Sequence, residues 1–314
     1  MNEIPLIDFS SWSQGSPKRR LDLAADIISA AHQTGFMYLQ NFGVDPKETT
    51  KMFDMLEEYF ALPLSIKQKT PYISAEANHG YNGFEEERLD PQGPGDLKET
   101  FTMRNVIQAS ANPTLWPSTN FRTMAQHFFY SCQLASKNIL EALSLGLRMP
   151  QDYFAKYHTG ENQTLRFLHY PHLPSHRPNQ IGAGAHTDYG SITLLFQDDV
   201  GGLEVQDFDG HWIPAPYIPE TAVVNIGDLM QRWTNNYLRS TLHRVSPTFR
   251  PGRHDRYSIA FFCDPDNDTL VQCLPSCISH DIPAQYAPIT ARQHLLEKLR
   301  ASRKLVENDV SFDQ

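Results

Sequence analysis

The second half of the chain limits the fold more than any other feature. After Pro150, short segments rich in Val, Ile, Thr, Phe and Tyr alternate with Gly, Asp, Asn and Pro clusters. The segments are Thr164–Tyr170, Ile181–Thr187, Ser191–Gln197, Leu203–Gln206, Trp212–Pro214, Ala222–Ile226, Thr241–Ser246 and Arg256–Cys263. About eight short strands with frequent turn signals predict a sandwich or a double-stranded β-helix of the jelly-roll kind.

The first third reads as helical. Leu21, Ala24, Ala25, Ile28 and Ala31 step by three and four within 18–35, and Gly35 is a stop. Asp45-Pro46 opens a second helix with Met52, Phe53, Leu56 and Phe60 on one stripe. Between them, Phe36–Gln40 reads as a strand, and 74–98 as an irregular loop long enough to carry function. Residues 120–148 form the main structural helix, with Phe121, Met124, Phe128, Cys132, Ala135, Ile139 and Leu143 as its buried stripe. Thr290–Val306 reads as a closing helix. Helices first, strands next and a helix last predict one α+β unit over 1–314 with a mainly β core. In it, 1–150 is mainly helical, 151–289 carries the jelly roll, and 290–314 is helix and tail.

Hydrophobic residues at 40% and charged residues at 20% suit a packed globular chain. The net charge of −9 argues against non-specific nucleic-acid binding, which needs a basic footprint. Cys132, Cys263, Cys273 and Cys277 fit neither a disulfide framework nor zinc spacing, and read as reduced thiols. With no signal-peptide pattern at the start and no apolar run of membrane-spanning length, the expectation is a cytoplasmic protein, off the membrane and monomeric.

Chemistry concentrates in Gly182-Ala-Gly-Ala-His186-Thr-Asp188-Tyr-Gly190. Residues two apart on an extended backbone share a face, so His186 and Asp188 point together, and the small residues before them leave space for a ligand. His243, in an alternating segment further on, supplies a third donor. Two imidazoles and one carboxylate can hold one face of an octahedron and leave the other positions open, as in non-haem Fe(II) oxygenases; zinc accepts the same donors.

Of three Arg-x-Ser pairs, Arg300-Ala-Ser302 lies in a helix, where residues two apart diverge. Arg244-Val-Ser246 follows His243, so alternation turns Arg244 outward if His243 faces in. Arg256-Tyr-Ser258 opens a strand with both side chains on one face, where a guanidinium fork and a hydroxyl make a carboxylate receptor. Arg166, Leu168 and Tyr170 share a face of another strand; a tyrosine hydroxyl beside that receptor can bind the same ligand, and His169 points the other way.

Together His186-x-Asp188, His243, Arg256-x-Ser258 and Leu168-His-Tyr170-Pro171 resemble the 2-oxoglutarate/Fe(II)-dependent dioxygenases of the isopenicillin N synthase-like family. Ile4–Phe9, Gly35–Val44, Asp96–Phe101, Leu115-Trp-Pro117, Val200–Leu203 and Asn225-Ile-Gly-Asp228 fit the same pattern, so the likeness spans nearly the whole chain. It implies a distorted jelly roll with flanking helices and iron on His186, Asp188 and His243. Arg256 and Ser258, assisted by Tyr170, would hold the distal carboxylate of 2-oxoglutarate. The implied reaction couples oxidative decarboxylation of 2-oxoglutarate by O₂ to hydroxylation, or a related oxidation, of a small organic substrate. Two alternatives stand beside it: a 2-oxoglutarate-independent iron oxidase that closes rings, and a catalytically silent binding module. Leu168 departs from the Asn of many plant members, and Phe42 stands where His is frequent. For the substrate, the pocket mouth is expected around Asn78–Arg88, with Tyr81 and Phe84, and Arg166 is a candidate for a polar group unless a core carboxylate pairs with it. Glu85, Glu86 and Glu87 read as a solvated face.

Overall fold

The computed structural model describes residues 3–89, 94–109, 111–172, 181–246 and 255–298. Twelve strands build two sheets: β1 (Leu6–Asp8), β2 (Phe36–Gln40), β3 (His79–Asn82), β4 (Glu99–Arg104), β5 (Thr164–Tyr170), β6 (Ala183–His186), β7 (Ile192–Gln197), β8 (Leu203–Gln206), β9 (Trp212–Pro214), β10 (Thr221–Ile226), β11 (His243–Val245) and β12 (Arg256–Cys263). The large sheet runs β1-β2-β10-β7-β12-β5-β4-β3, antiparallel except for β1 with β2. The small one runs β6-β11-β8-β9.

One face of the large sheet is closed by helices Pro17–Gln33, Pro46–Phe60 and Thr119–Gly146. Each begins where side-chain chemistry ends the preceding turn: Ser16, Asp45 and Ser118 accept from the backbone N–H of Arg19, Lys47 and Phe121. Such a cap stabilises a helix by about 1 kcal/mol. Phe121, Phe128, Cys132, Ala135, Ile139 and Leu143 form the buried stripe that spacing predicts, with Met124 half-buried at its edge. Aromatic edge-to-face contacts such as Phe121 on Phe167 and Phe129 on Phe261 join helix to sheet. The Pro17–Gln33 helix is rotated from expectation: Leu23, Ala24, Ile27, Ile28, Ala30 and Ala31 are buried, whereas Leu21 and Ala25 face solvent. The predicted stripe follows one edge of the true face.

Four of the eight predicted strands match residue for residue (β5, β8, β9 and β12), three are trimmed at their ends (β6, β7 and β11), and β10 begins one residue earlier than predicted. Two corrections concern the N-terminal part, which is less helical than expected. His79–Asn82, inside the predicted loop, and Glu99–Arg104 are strands, so residues before 150 supply four of the eight in the large sheet. The helix Asp228–Trp233 was also unforeseen. Residues 291–298 are helical, and the remainder of the predicted Thr290–Val306 helix, like Arg300-Ala-Ser302, lies outside the described residues.

The other face of the large sheet meets the small sheet through two lesser apolar clusters, Phe36, Tyr38, Leu203, Val205, Ala215 and Val223 at one end and Leu168, Tyr170, Ala183, Val245 and Ala260 at the other. The space between the sheets is a cavity of about 410 Å³.

Candidate active site

His186 ends β6 and His243 begins β11, and the two are direct partners in antiparallel register. Their rings lie 4.3 Å apart. Asp188 follows two residues after His186, with its Oδ1 4.0 Å from His186 Nε2 and 3.8 Å from His243 Nε2. The other atom of each group is already engaged. Nδ1 of His186 donates to the Gly184 carbonyl at 2.7 Å, and Nδ1 of His243 to the Thr241 carbonyl at 3.2 Å. A carbonyl can only accept, so each Nδ1 carries a proton and Nε2 is the nitrogen left for a metal. Asp188 Oδ2 accepts from Thr193 Oγ1 and Asn225 Nδ2, both at 2.6 Å.

Electrostatics match that geometry. Burial, followed by the neighbouring His243, pushes the His186 imidazole down to about 3, so it is neutral at physiological pH. Burial raises the Asp188 carboxyl, but His243 and His186, helped by Asn225 and Thr193, hold it below the usual carboxylate range. Two imidazoles that each turn Nε2 toward Asp188, and one carboxylate with a free oxygen, fit a divalent first-row metal, and Fe(II) in particular, with room for further ligands on the cavity side.

The second group stands on β12. Arg256 is fully buried, yet among the described residues no carboxylate lies within 4.0 Å of it. Its Nε donates to the Gly201 carbonyl at 2.7 Å, one terminal nitrogen lies 3.3 Å from Ser258 Oγ, and the other reaches Gln197 Oε1 at 3.5 Å. Tyr170, its direct partner on β5, lies beneath the guanidinium at 4.7 Å from the ring centre. Gly182 makes this approach possible, because a Cβ there would sit 2.9 Å from the Tyr170 ring. A buried cation without a carboxylate costs several kcal/mol unless an anion arrives. Strand alternation groups Arg256, Ser258 and Tyr170; it misses Gln197, Thr193 and Asn225, whose roles depend on pairing between distant strands.

Alternation correctly turns Arg244 outward, where it pairs with Glu204 at 2.7 Å and stacks on Trp212. His169 points into the core, bonded to Glu99 at 2.7 Å and stacked on Tyr257. The substrate candidates fare unevenly. Arg166 lines the cavity but is bound to Glu87 and reaches Thr100 Oγ1 at 3.3 Å. Glu87 is therefore no solvated side chain: burial pushes its carboxyl up, but Arg166 and Lys98 outweigh that and bring it down to about 2. Tyr81 does not reach the cavity. It shares the core face with Phe101 and donates to the buried Glu99, which also takes Lys67; its neighbour Asn82 lines the cavity instead. Phe84 is exposed and stands outside the lining.

Comparison with known proteins agrees with this geometry. Residues 161–265 match the 2OG-Fe(II) oxygenase superfamily, and 4–119 match the N-terminal region described for the non-haem dioxygenase in morphine synthesis. A 2-oxoglutarate-dependent dioxygenase, frbA, of Dothideomycetidae sp. (strain 11243) is 31% identical, covering 90% of this chain and 92% of its own. Among solved structures, a full-length Neurospora crassa protein in complex with alpha-KG superposes with a TM-score of 0.86 at 33% identity, covering 95% of this chain and 96% of that one. The same protein with alpha-KG and thymine gives 0.85 at 32% identity, covering 97% of both chains. The chain belongs to the 2-oxoglutarate/Fe(II)-dependent oxygenases, enzymes that use Fe(II), O₂ and 2-oxoglutarate to oxidise an organic substrate.

Proposed function

We propose that His186, Asp188 and His243 hold the iron of this oxygenase, that Arg256 and Ser258 take the distal carboxylate of 2-oxoglutarate, and that the substrate is a small molecule admitted to the cavity between the sheets. The buried guanidinium of Arg256, without a carboxylate partner among the described residues and facing the cavity that the metal donors also line, is the observation that carries this reading. The Tyr170 hydroxyl, bonded to no described residue, is free to add a third contact to the same carboxylate.

Iron, when bound, supplies the activation of O₂ and the oxidative decarboxylation that drives attack on a C–H bond. The protein's part is positioning and dryness. Gly201 and Gln197 fix the plane of the Arg256 fork, so the carboxylate meets a preset receptor rather than a mobile side chain. Thr193 and Asn225 fix Asp188, and the Gly184 and Thr241 carbonyls fix the imidazoles. Leu168, Leu195, Val245 and Ala260 line the chamber with hydrocarbon, which excludes water from the reacting groups. All these groups come from one chain, which supports action as a monomer, and among the described residues no helix is long and apolar enough to cross a membrane.

Anaerobic addition of Fe(II) and then 2-oxoglutarate should produce the visible metal-to-ligand charge-transfer band of the bound keto acid, and admitting O₂ should release succinate. His186→Ala or Asp188→Ala should lower succinate release by about 4 kcal/mol, roughly 1000-fold, because the metal loses a donor. Full activity in both variants, or failure of the wild-type protein to bind 2-oxoglutarate, would overturn the assignment.

A further inference from the structure

The cavity has a polar end that the iron and 2-oxoglutarate assignments leave unused. Along its wall β12 presents Arg256, Ser258, Ala260 and Phe262, and Asp264 continues the alternation just past the strand. Thr193 fixes where the metal donors fall on this line, since it stands opposite Phe262 in the β7–β12 register and donates to Asp188. Arg256 therefore lies to one side of the metal donors, and Asp264 to the other. Arg104 reaches the same far end: it pairs across from Thr164 on β5, and Thr164 pairs across from Phe262. Arg104, Thr164, Phe262 and Asp264 all line the cavity.

Asp264 and Arg104 differ from the other charges in the chamber. Arg166 is matched by Glu87, and Lys98 by Asp96 and Glu87; Arg88 is likewise not free, and Glu85 and Glu86 are exposed to solvent. Among the described residues, Asp264 accepts no hydrogen bond and has no cation within 4.0 Å, while Arg104 uses only Nε, on Thr164 Oγ1 at 3.4 Å, and has no carboxylate within 4.0 Å. Burial pushes the Asp264 carboxyl up to about 6 even with Arg104 pulling against it, as expected of an acid that no neighbour contacts. Its position against the metal-binding loop depends on Gly190, where a Cβ would lie 1.6 Å from Asp264 Oδ1.

We propose that Asp264 and Arg104 determine substrate specificity, and that the substrate is a small net-neutral molecule giving an N–H donor to Asp264 and a carbonyl or carboxylate oxygen to Arg104. This rests on the function proposed above and names the substrate class of the same site. One free anion and one free cation sum to zero. An apolar or singly charged ligand leaves at least one of them buried and unmatched, at a cost of roughly 1–3 kcal/mol or more. A ring amide and an amino-acid zwitterion both meet the requirement, one with neutral hydrogen bonds and the other with two ion pairs.

The test uses the anaerobic Fe(II)·2-oxoglutarate protein, with binding read by calorimetry and by the shift of the charge-transfer band. The balanced probes are thymine and L-proline; propylamine, propionate and toluene stand for a cation, an anion and an apolar ligand. At least one balanced probe should bind more tightly than all three others, and which one binds identifies the ring amide or the zwitterion as the source. Asp264→Asn and Arg104→Met should each weaken it about tenfold or more, as expected for losing a hydrogen bond to a charged group. Arg104→Lys should keep part of the affinity. In all three variants 2-oxoglutarate should bind within about twofold of wild type, the change of a neutral surface substitution, which also reports that they are folded. The proposal is overturned if neither balanced probe binds, if a singly charged or apolar probe binds more tightly, or if both substitutions leave binding unchanged. Loss of 2-oxoglutarate binding by the wild-type protein would instead strike the functional assignment on which it rests.

Discussion

Arg256 and Arg166 face the same cavity from neighbouring strands, and they solve the problem of a buried cation in opposite ways. Arg166 has its counter-ion within the fold: Glu87 binds it, and Lys98 shares that carboxylate at 3.6 Å. Among the described residues Arg256 has only neutral acceptors, the Gly201 carbonyl, Ser258 and Gln197, none of which cancels its charge. A guanidinium matched internally holds a wall in place; one held by dipoles alone keeps its charge for a visitor. Residue type and strand alternation are the same for both, so the partner, rather than the arginine, separates receptor from scaffold.

The sharpest way to break this contrast is to remove each charge in turn. Arg256→Gln should raise the 2-oxoglutarate KM by about 100-fold, or about 3 kcal/mol, because a desolvated charge pair loses one member. Arg166→Gln should leave that KM within about twofold, since only a groove position away from the receptor changes, and should instead lower the melting temperature, because Glu87 is left with Lys98 alone. Equal effects of the two substitutions on 2-oxoglutarate would erase the distinction. Steady-state kinetics with 2-oxoglutarate varied, beside thermal melts, decides it.

Glu87 carries the next effect. Its carboxyl sits at about 2 in the folded protein against an ordinary value of 4.5. A lowered folded-state value means stability that is fully present above the ordinary value and is lost as pH falls from there through about 2. With a quarter of the side chain exposed, the contribution is about 2 kcal/mol after allowance for solvent screening. Glu87→Gln should therefore flatten the acid limb of the stability curve between these values. An unchanged acid limb would mean that Arg166 is not neutralised from within.

These contrasts also explain what could be read from the chain alone. That His186 falls beside Asp188, and Arg256 beside Ser258, was legible because each pair sits two apart on extended backbone, a relation local in sequence. Four strands of the jelly roll were legible to the residue for the same reason. β4 was not: Glu99 to Met103 are buried without a break, so no alternation marks them, and Glu99 is tolerated only because Lys67, Tyr81 and His169 reach it from distant segments. Tyr81 was misplaced by one position: its neighbour Asn82 lines the cavity, and which of the two does so depends on pairing with β4. Glu87 looked like part of a solvated run of three acids because its partners lie 11 and 79 residues away in sequence, as the numbers of Lys98 and Arg166 show.

The same division between scaffold and receptor operates within one carboxylate. Asp188 Oδ2 is taken by Thr193 and Asn225, and Oδ1 is left free for the proposed metal. Asn225→Ala removes one of the two donors that aim the carboxylate without touching any group placed on the metal. Partners of this kind typically change metal affinity by 10-fold or more, so Fe(II) should bind about tenfold more weakly, close to 1.4 kcal/mol. Saturating Fe(II) should then restore most of the succinate release, and the 2-oxoglutarate KM should follow wild type, because Asn225 contacts neither Arg256 nor Ser258. Thr193→Val should behave alike. A variant that saturating iron fails to rescue would give Asn225, which lines the chamber, a part in the reaction beyond aiming the carboxylate, and the separation between groups that hold and groups that receive would no longer describe this half of the site.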